Sequence, residues 1–110
     1  MSILVSVEEL PATLAGFGPG YLLSTSADGS GRVKIVSVLP RWADGSLVLT
    51  APGPGTLRNL VQNAVVSLVF PPAEPTEHSL IVDGEAEAVG DDVRVRPTGA
   101  VLHRSAAAPD

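Results

Sequence analysis

At 110 residues the chain has the length of one domain, with a moderate core and only modest stability of its own. Hydrophobic residues make up 45% and charged residues 17%, but Asp83, Glu85, Asp91 and Arg94 interrupt the apolar pattern and no run approaches the roughly 18 residues of a membrane helix. A net charge of −5 argues against nucleic acid as the main partner, and the absence of Cys excludes disulfide and thiolate chemistry.

Ser6-Val7-Glu8-Glu9 fits a capping box, so a short helix is expected to start near Ser6. The cluster Gly16, Gly18, Pro19 and Gly20 ends it. Residues 21–26 read as a strand, Asp28-Gly29 as a hairpin turn, and residues 32–39 as the returning strand. Asp44-Gly45 marks the next turn, before a strand over 47–50. A Gly/Pro loop then leads to a helix over 56–63, with Thr56 as N-cap. The next strand, 65–70, is apolar throughout, which predicts burial on both faces.

Pro71, Pro72 and Pro75 stiffen the next loop. Residues 78–88 alternate cleanly, with Leu80, Val82, Gly84, Ala86 and Ala88 on one face and Asp83, Glu85 and Glu87 on the other. Gly90-Asp91-Asp92 turns the chain into a strand over 93–96. Pairing Ala88 with Val93 sets Glu87 opposite Arg94 and Glu85 opposite Arg96, so these arginines read as structural cross-strand partners. Residues 100–104 add a last strand, and 105–110 read as a frayed, disordered tail. The sum is a mainly β chain of about six antiparallel strands with short helices. One domain over 1–104 closes its edges best as a small barrel.

The charges are segregated. Arg32, Lys34, Arg41 and Arg58 lie within residues 32–58 with Asp44 as the only acid, whereas residues 74–92 hold seven acids and no Lys or Arg. The N–H groups at a helix start lack internal partners and carry partial positive charge. A loop delivering the chain to such a start at Thr56, with Arg58 in the first turn, suits an anion such as a phosphate. A plain strand–helix–strand connection would look the same locally. Lys34 and Arg32 alternate with Val33 and Ile35, so they project from one face, either onto a phosphate or into solvent. Trp42 follows Arg41 in a turn and reads as a lid over the barrel end or a contact between subunits. His78 and His103 have no metal-ligand spacing, and no metal site is expected. No nucleophile elbow supports a Ser/His/Asp set, which leaves Ser37 as a pocket residue and not a nucleophile.

The order of pieces is specific: short helix, GYLLST strand, DG hairpin, RVKIVSV strand, DG turn, LVLT strand, Gly-rich loop, RNL helix, VVSLVF strand, VDGEAEA. Over residues 5 to 90 it resembles the pyridoxamine 5′-phosphate oxidase-like family, the flavin-binding split β-barrels. The resemblance implies a homodimer with two flavin sites at the subunit interface. The flavin is usually FMN, and in some relatives a deazaflavin. It implies that the strand Lys34, Ile35, Val36, Ser37 meets the flavin, with Lys34 on the phosphate and Val36 and Ser37 at the ring or ribityl chain. It also implies that Thr50 ends the next strand at the site, that Thr56, Leu57 and Arg58 open the phosphate cradle, and that the segment around His78, residues 77–79, reaches the ring of the other subunit.

The pattern departs from the family in two places. Pro54, Gly55 and Thr56 stand where the family carries Ser-Arg-Lys or Ser-x-Lys, so Arg58 has to supply the cation. Leu39 stands where the true oxidases carry a substrate-phosphate lysine, which argues against authentic pyridoxamine phosphate oxidation. Three functions fit these residues: a flavin-dependent oxidoreductase acting on a small molecule, a non-catalytic flavin or deazaflavin carrier, and a cofactor-free barrel serving as an interaction protein. The apolar surplus fits a homodimer. An N-terminus without a basic region ahead of an apolar stretch suggests no signal peptide, so the cytoplasm is the expected location.

Overall fold

The computed structural model describes residues 2–109. Eight strands and two helices run in the order β1 (Ser2–Val5), α1 (Leu10–Leu14), β2 (Gly20–Thr25), β3 (Val33–Val38), β4 (Arg41–Ala43), β5 (Ser46–Leu49), α2 (Pro54–Gln62), β6 (Val65–Phe70), β7 (Ser79–Val89) and β8 (Asp92–His103). All strands join one antiparallel sheet in the order β3-β2-β6-β7-β8-β5-β4, with β1 added against β8. The hydrogen-bonded path does not close: β3 and β4 are its ends. The barrel is therefore split, as the resemblance implied.

The core sits inside the curled sheet. Leu22, Leu47, Leu68, Leu80, Val82, Val93, Val95 and Phe70 are fully buried, and Leu10 of α1 plugs the same cluster. Short turns fix the pairings. Asp44 and Gly45 both have positive φ (50° and 77°), as a tight two-residue hairpin between β4 and β5 requires. The β7–β8 hairpin has the expected register, with Ala88 on Val93, Glu87 on Arg94 and Glu85 on Arg96. Arg96 and Glu85 meet at 2.6 Å. Being half exposed, that pair contributes little stability.

Strand β8 also explains where proline is tolerated. Its first half pairs with β5 as far as Val95, and its second half pairs with β1 from Ala100 onward. Pro97 falls in the gap between those two ladders, next to the register shift at Asp83/Gly84 on β7, so its missing N–H removes no bond to β5 or β1.

Several expectations are corrected. The helix does not start near Ser6. The capping box is present, with the Ser6 Oγ–Glu9 carboxylate contact at 2.8 Å and Glu9 N–H donating to Ser6 Oγ at 3.2 Å, but it closes a turn that precedes α1. Strand β6 is buried on one face only. Val66, Leu68 and Phe70 point inward, while Val65 is 64% exposed, because one side of this antiparallel sheet is open. Strands β1 and β4 add to the expected set, and the strand expected over 100–104 is the second half of β8. Trp42 lies in β4 and packs on the core. Beyond β8, and apart from these corrections, Ser105 Oγ donates to the Pro75 carbonyl at 2.6 Å and Arg104 to that of Pro109, while Asp110 lies outside the described residues. No helix of the described residues is long and apolar enough to cross a membrane.

Candidate functional site

Helix α2 begins two residues earlier than its sequence suggests. Gly53 is the N-cap, with φ 110° and ψ 159°, a conformation open to glycine and poor for other residues. Pro54 takes the first helical position, where a missing N–H costs nothing. Thr56 is therefore not the cap. It lies inside the first turn, fully buried, and its Oγ1 has no hydrogen-bond partner among the described residues. Thr56, Asn59 and Leu60 form the buried stripe of the helix, which packs on β2 and β7. The first turn carries no acidic side chain, so its positive end is not neutralised locally.

Beside this helix start stands the β2–β3 hairpin. Its turn is tied by Asp28, whose carboxylate accepts from Ser26 Oγ at 2.7 Å and from Ser30 N–H at 2.9 Å and meets Arg32 at 3.4 Å. The Ser30 bonds, then Ser26 and Arg32, hold the Asp28 carboxyl well below the usual carboxylate range.

Between hairpin and helix lies a groove of about 360 Å³. Ser26, Arg32, Val33 and Lys34 form the hairpin wall, and Gly55, Arg58 and Asn59 the helix wall. Lys34 reaches across it. A Cβ built on Gly55 would fall 2.9 Å from Lys34 Cε and 3.1 Å from its Nζ, so the ammonium rests on bare backbone at the first turn of α2. The two walls are joined by Asn59, whose Oδ1 accepts from Ala27 N–H at 3.1 Å and whose Nδ2 donates to the buried Ser24 Oγ at 3.1 Å. Three cations thus surround one groove, its lining holds no acid, and Asp28 of the adjoining turn pairs with Arg32. Chemically the arrangement is an anion cradle: mobile cations on one side, unpaired helix N–H groups and Arg58 on the other.

Of the residues expected at the site, Lys34 and Arg58 come together here. The others lie elsewhere in the chain. Ile35, 59% exposed, and Ser37 point to the outer face of the sheet. Val36 and Leu57 pack against the core. Thr50 is exposed just beyond the end of β5. His78 lines a separate groove of about 480 Å³ with Phe17, Thr76 and Glu77. Sequence reasoning missed Ser26, Gly55 and Asn59. Asn59 left one usable signal: it falls three residues after Thr56 and beside Leu60, on the inward stripe of the helix, where a polar side chain has to find buried partners.

The sequence is 36% identical over 122 residues to an uncharacterized protein of Mycobacterium bovis, an alignment spanning 96% of this chain and 84% of that protein. No protein-family model matches the sequence. Among solved structures, a candidate pyridoxamine 5′-phosphate oxidase from Listeria innocua superimposes with a TM-score of 0.70 at 12% identity, over 87% of this chain and 96% of the other. The FAD-binding protein of Mycobacterium smegmatis superimposes with a TM-score of 0.65 at 22% identity, over 94% and 100%. The chain has the fold of the pyridoxamine 5′-phosphate oxidase-like split barrels. At the helix start of this split barrel, Pro54, Gly55 and Thr56 carry no cation, and Lys34 reaches the Gly55 backbone from strand β3.

Proposed function

We propose that this split barrel binds a phosphorylated flavin, FMN being the simplest, with the phosphate in the groove between α2 and the β2–β3 hairpin. The observation that carries the reading is Lys34 laid over the bare backbone of Gly55 beside Arg58. These residues fit a phosphate: two mobile cations and a helix start without an acidic neighbour supply charge-assisted donors. A relative in fold, the Mycobacterium smegmatis protein, is described as binding FAD. A bound flavin supplies hydride and electron transfer, so the reaction class is oxidation or reduction of a small molecule, while the protein contributes binding, orientation and electrostatics.

The flavin reading brings a second copy of the chain with it. Leu4, Val101, Ile81, Val69, Tyr21 and Ser37 are register partners in one row across six strands. Leu4 is 84% and Tyr21 45% exposed, and Ile35 adds to the same face. An apolar row of this length on an open sheet face suits burial against another copy, which would also cover Ser37. Light scattering is expected to give a dimer at micromolar concentration, and a stable monomer refutes that part.

The test of the site is a titration with FMN, riboflavin and a deazaflavin. FMN is expected to bind more tightly than riboflavin. Lys34→Arg is expected to keep that preference, because a cation still meets the phosphate, and Lys34→Glu to abolish it. Equal titrations for the three proteins remove Lys34 from the site. A wild type that binds no flavin leaves a cofactor-free barrel. Consumption of reduced nicotinamide with candidate acceptors separates an enzyme from a carrier.

A further inference from the structure

We infer that Asn59 is the positioning residue of the anion groove, setting the spacing across which Lys34 and Arg58 act on one ligand. The inference rests on the phosphate reading above and adds to it a residue that holds the two walls in register. The groove is built from two segments of chain, one ending at Lys34 and the other starting at Gly55, and its walls carry their cations on separate elements. The side chain of Asn59 bonds both to strand β2, through Ser24, and to the first residue of the hairpin turn, through the Ala27 amide. It is 8% exposed and Ser24 is 2% exposed, so the Ser24 bond is shielded from water, while the Ala27 bond is partly buried. A buried amide with both ends engaged is a rigid strut, and leaving its partners unpaired is costly.

Position matters because each attachment point adjoins a cation of the groove. Ala27 leads through the Asp28 turn into Arg32 and Lys34, while Arg58 directly precedes Asn59 on the helix. Ser26, also at the groove, is anchored to Arg32 across the hairpin by a backbone bond of 2.7 Å. If the strut is cut, hairpin and helix can separate, and the two cations no longer converge. The neutral ring of a flavin does not depend on that convergence, but its phosphate does.

The experiment compares FMN and riboflavin affinities in wild type, Asn59→Ala and Ser24→Ala, each followed by thermal denaturation. Asn59→Ala is expected to lower FMN affinity roughly tenfold or more while riboflavin affinity changes less than about twofold. Ser24→Ala cuts one of the two bonds and removes only a hydroxyl, so it is expected to fold and to show a smaller loss with the same selectivity. It carries the test if Asn59→Ala does not fold. Loss of both flavins in equal proportion, with a lowered melting temperature, overturns the inference and leaves Asn59 as a structural residue. An unchanged FMN-to-riboflavin ratio in folded variants overturns it as well. A wild type that does not distinguish FMN from riboflavin overturns the phosphate reading itself, an outcome visible before any variant is made.

Discussion

Replacing Gly55 by Ala should make this protein more stable and a worse flavin binder at once. Gly55 is the second residue of α2, and no positive φ forces glycine there. In a helix interior, Ala is favoured over Gly by about 0.5–1 kcal/mol, and part of that holds in the first turn. The three atoms nearest the added methyl all belong to Lys34, at 2.9 Å for Cε, 3.1 Å for Nζ and 3.5 Å for Cδ. Those atoms are the far end of an exposed, flexible side chain, which can swing away at little cost. The net change in folding is therefore zero to favourable, worth up to a few degrees in melting temperature for a domain of this size. Binding moves the other way. The methyl occupies the place where the ammonium lies against backbone N–H groups, so Lys34 and the helix start can no longer share a ligand. Losing one charge-assisted hydrogen bond costs about 1.5–3 kcal/mol, or roughly tenfold to hundredfold in FMN affinity. Thermal denaturation and FMN titration on the same preparation check both halves, with riboflavin as the ligand that lacks the phosphate. FMN affinity within about twofold of wild type refutes the reasoning, because it places the phosphate somewhere other than between Lys34 and Gly55.

Other positions give equally definite outcomes. Gly20→Ala is expected to destabilise by about 1–3 kcal/mol, because its Cβ would fall 2.6 Å from Phe70 Cδ1 and 2.7 Å from the Val69 carbonyl, and Phe70 is fully buried beside Phe17; an unchanged midpoint in chemical denaturation contradicts it. Ala51 has φ 41° and donates its N–H to Asp92 at 3.0 Å, so Ala51→Gly relieves a left-handed L-residue and is expected to stabilise by about 0.5–1 kcal/mol, read as a raised melting temperature. The Asp28 carboxyl is held below its usual value chiefly by Ser30. Its stabilising effect is thus fully present above the ordinary carboxylate pKa and is lost as pH falls through the lower folded-state value. An NMR titration should place Asp28 below ordinary aspartates and Ser30→Ala should move it back toward them, whereas an unmoved midpoint denies Ser30 that role.

Whatever local chemistry decides was legible in the sequence. The Gly90-Asp91 turn fixed the β7–β8 register to the residue, and the apolar run 65–70 gave the bounds of β6. Segregated charge marked Arg32, Lys34, Arg41 and Arg58 as a group, the resemblance put Lys34 at the phosphate, and the helix start pointed to Arg58. The misses lie where distant partners decide. Strand β1 exists because β8 offers it an edge, and β4 is three residues long and paired only to β5. Thr56 resembled a cap because capping side chains are the common signal, but Gly53 and Pro54 satisfy the same start by backbone conformation alone and leave Thr56 to the core. Ile35 and Ser37 are a different case: the period of two places them on the face of β3 opposite Lys34, the face the resemblance gives to a subunit interface.

The departure at the helix start has a mechanical consequence. With a lysine on the helix itself, as the resemblance implied for this position, cation and backbone N–H groups would travel together and one element would hold the anion. Here the buried Thr56 occupies that position, and a cation comes from β3, an edge strand bonded to the sheet only through β2. Binding strength then depends on the relative position of two elements, not on either alone. Those elements meet through the Asn59 bonds and through the packing of α2 on β2. Edge strands and exposed turns open locally at lower free energy than a core does. Flavin affinity in this split barrel should therefore weaken in denaturant before the global transition, whereas a cradle built wholly on the helix would lose its ligand only as the fold itself is lost. Following FMN fluorescence and far-UV circular dichroism on one denaturation series distinguishes the two. Coincident curves would place the whole cradle within a single cooperative unit and argue against a separable hairpin wall.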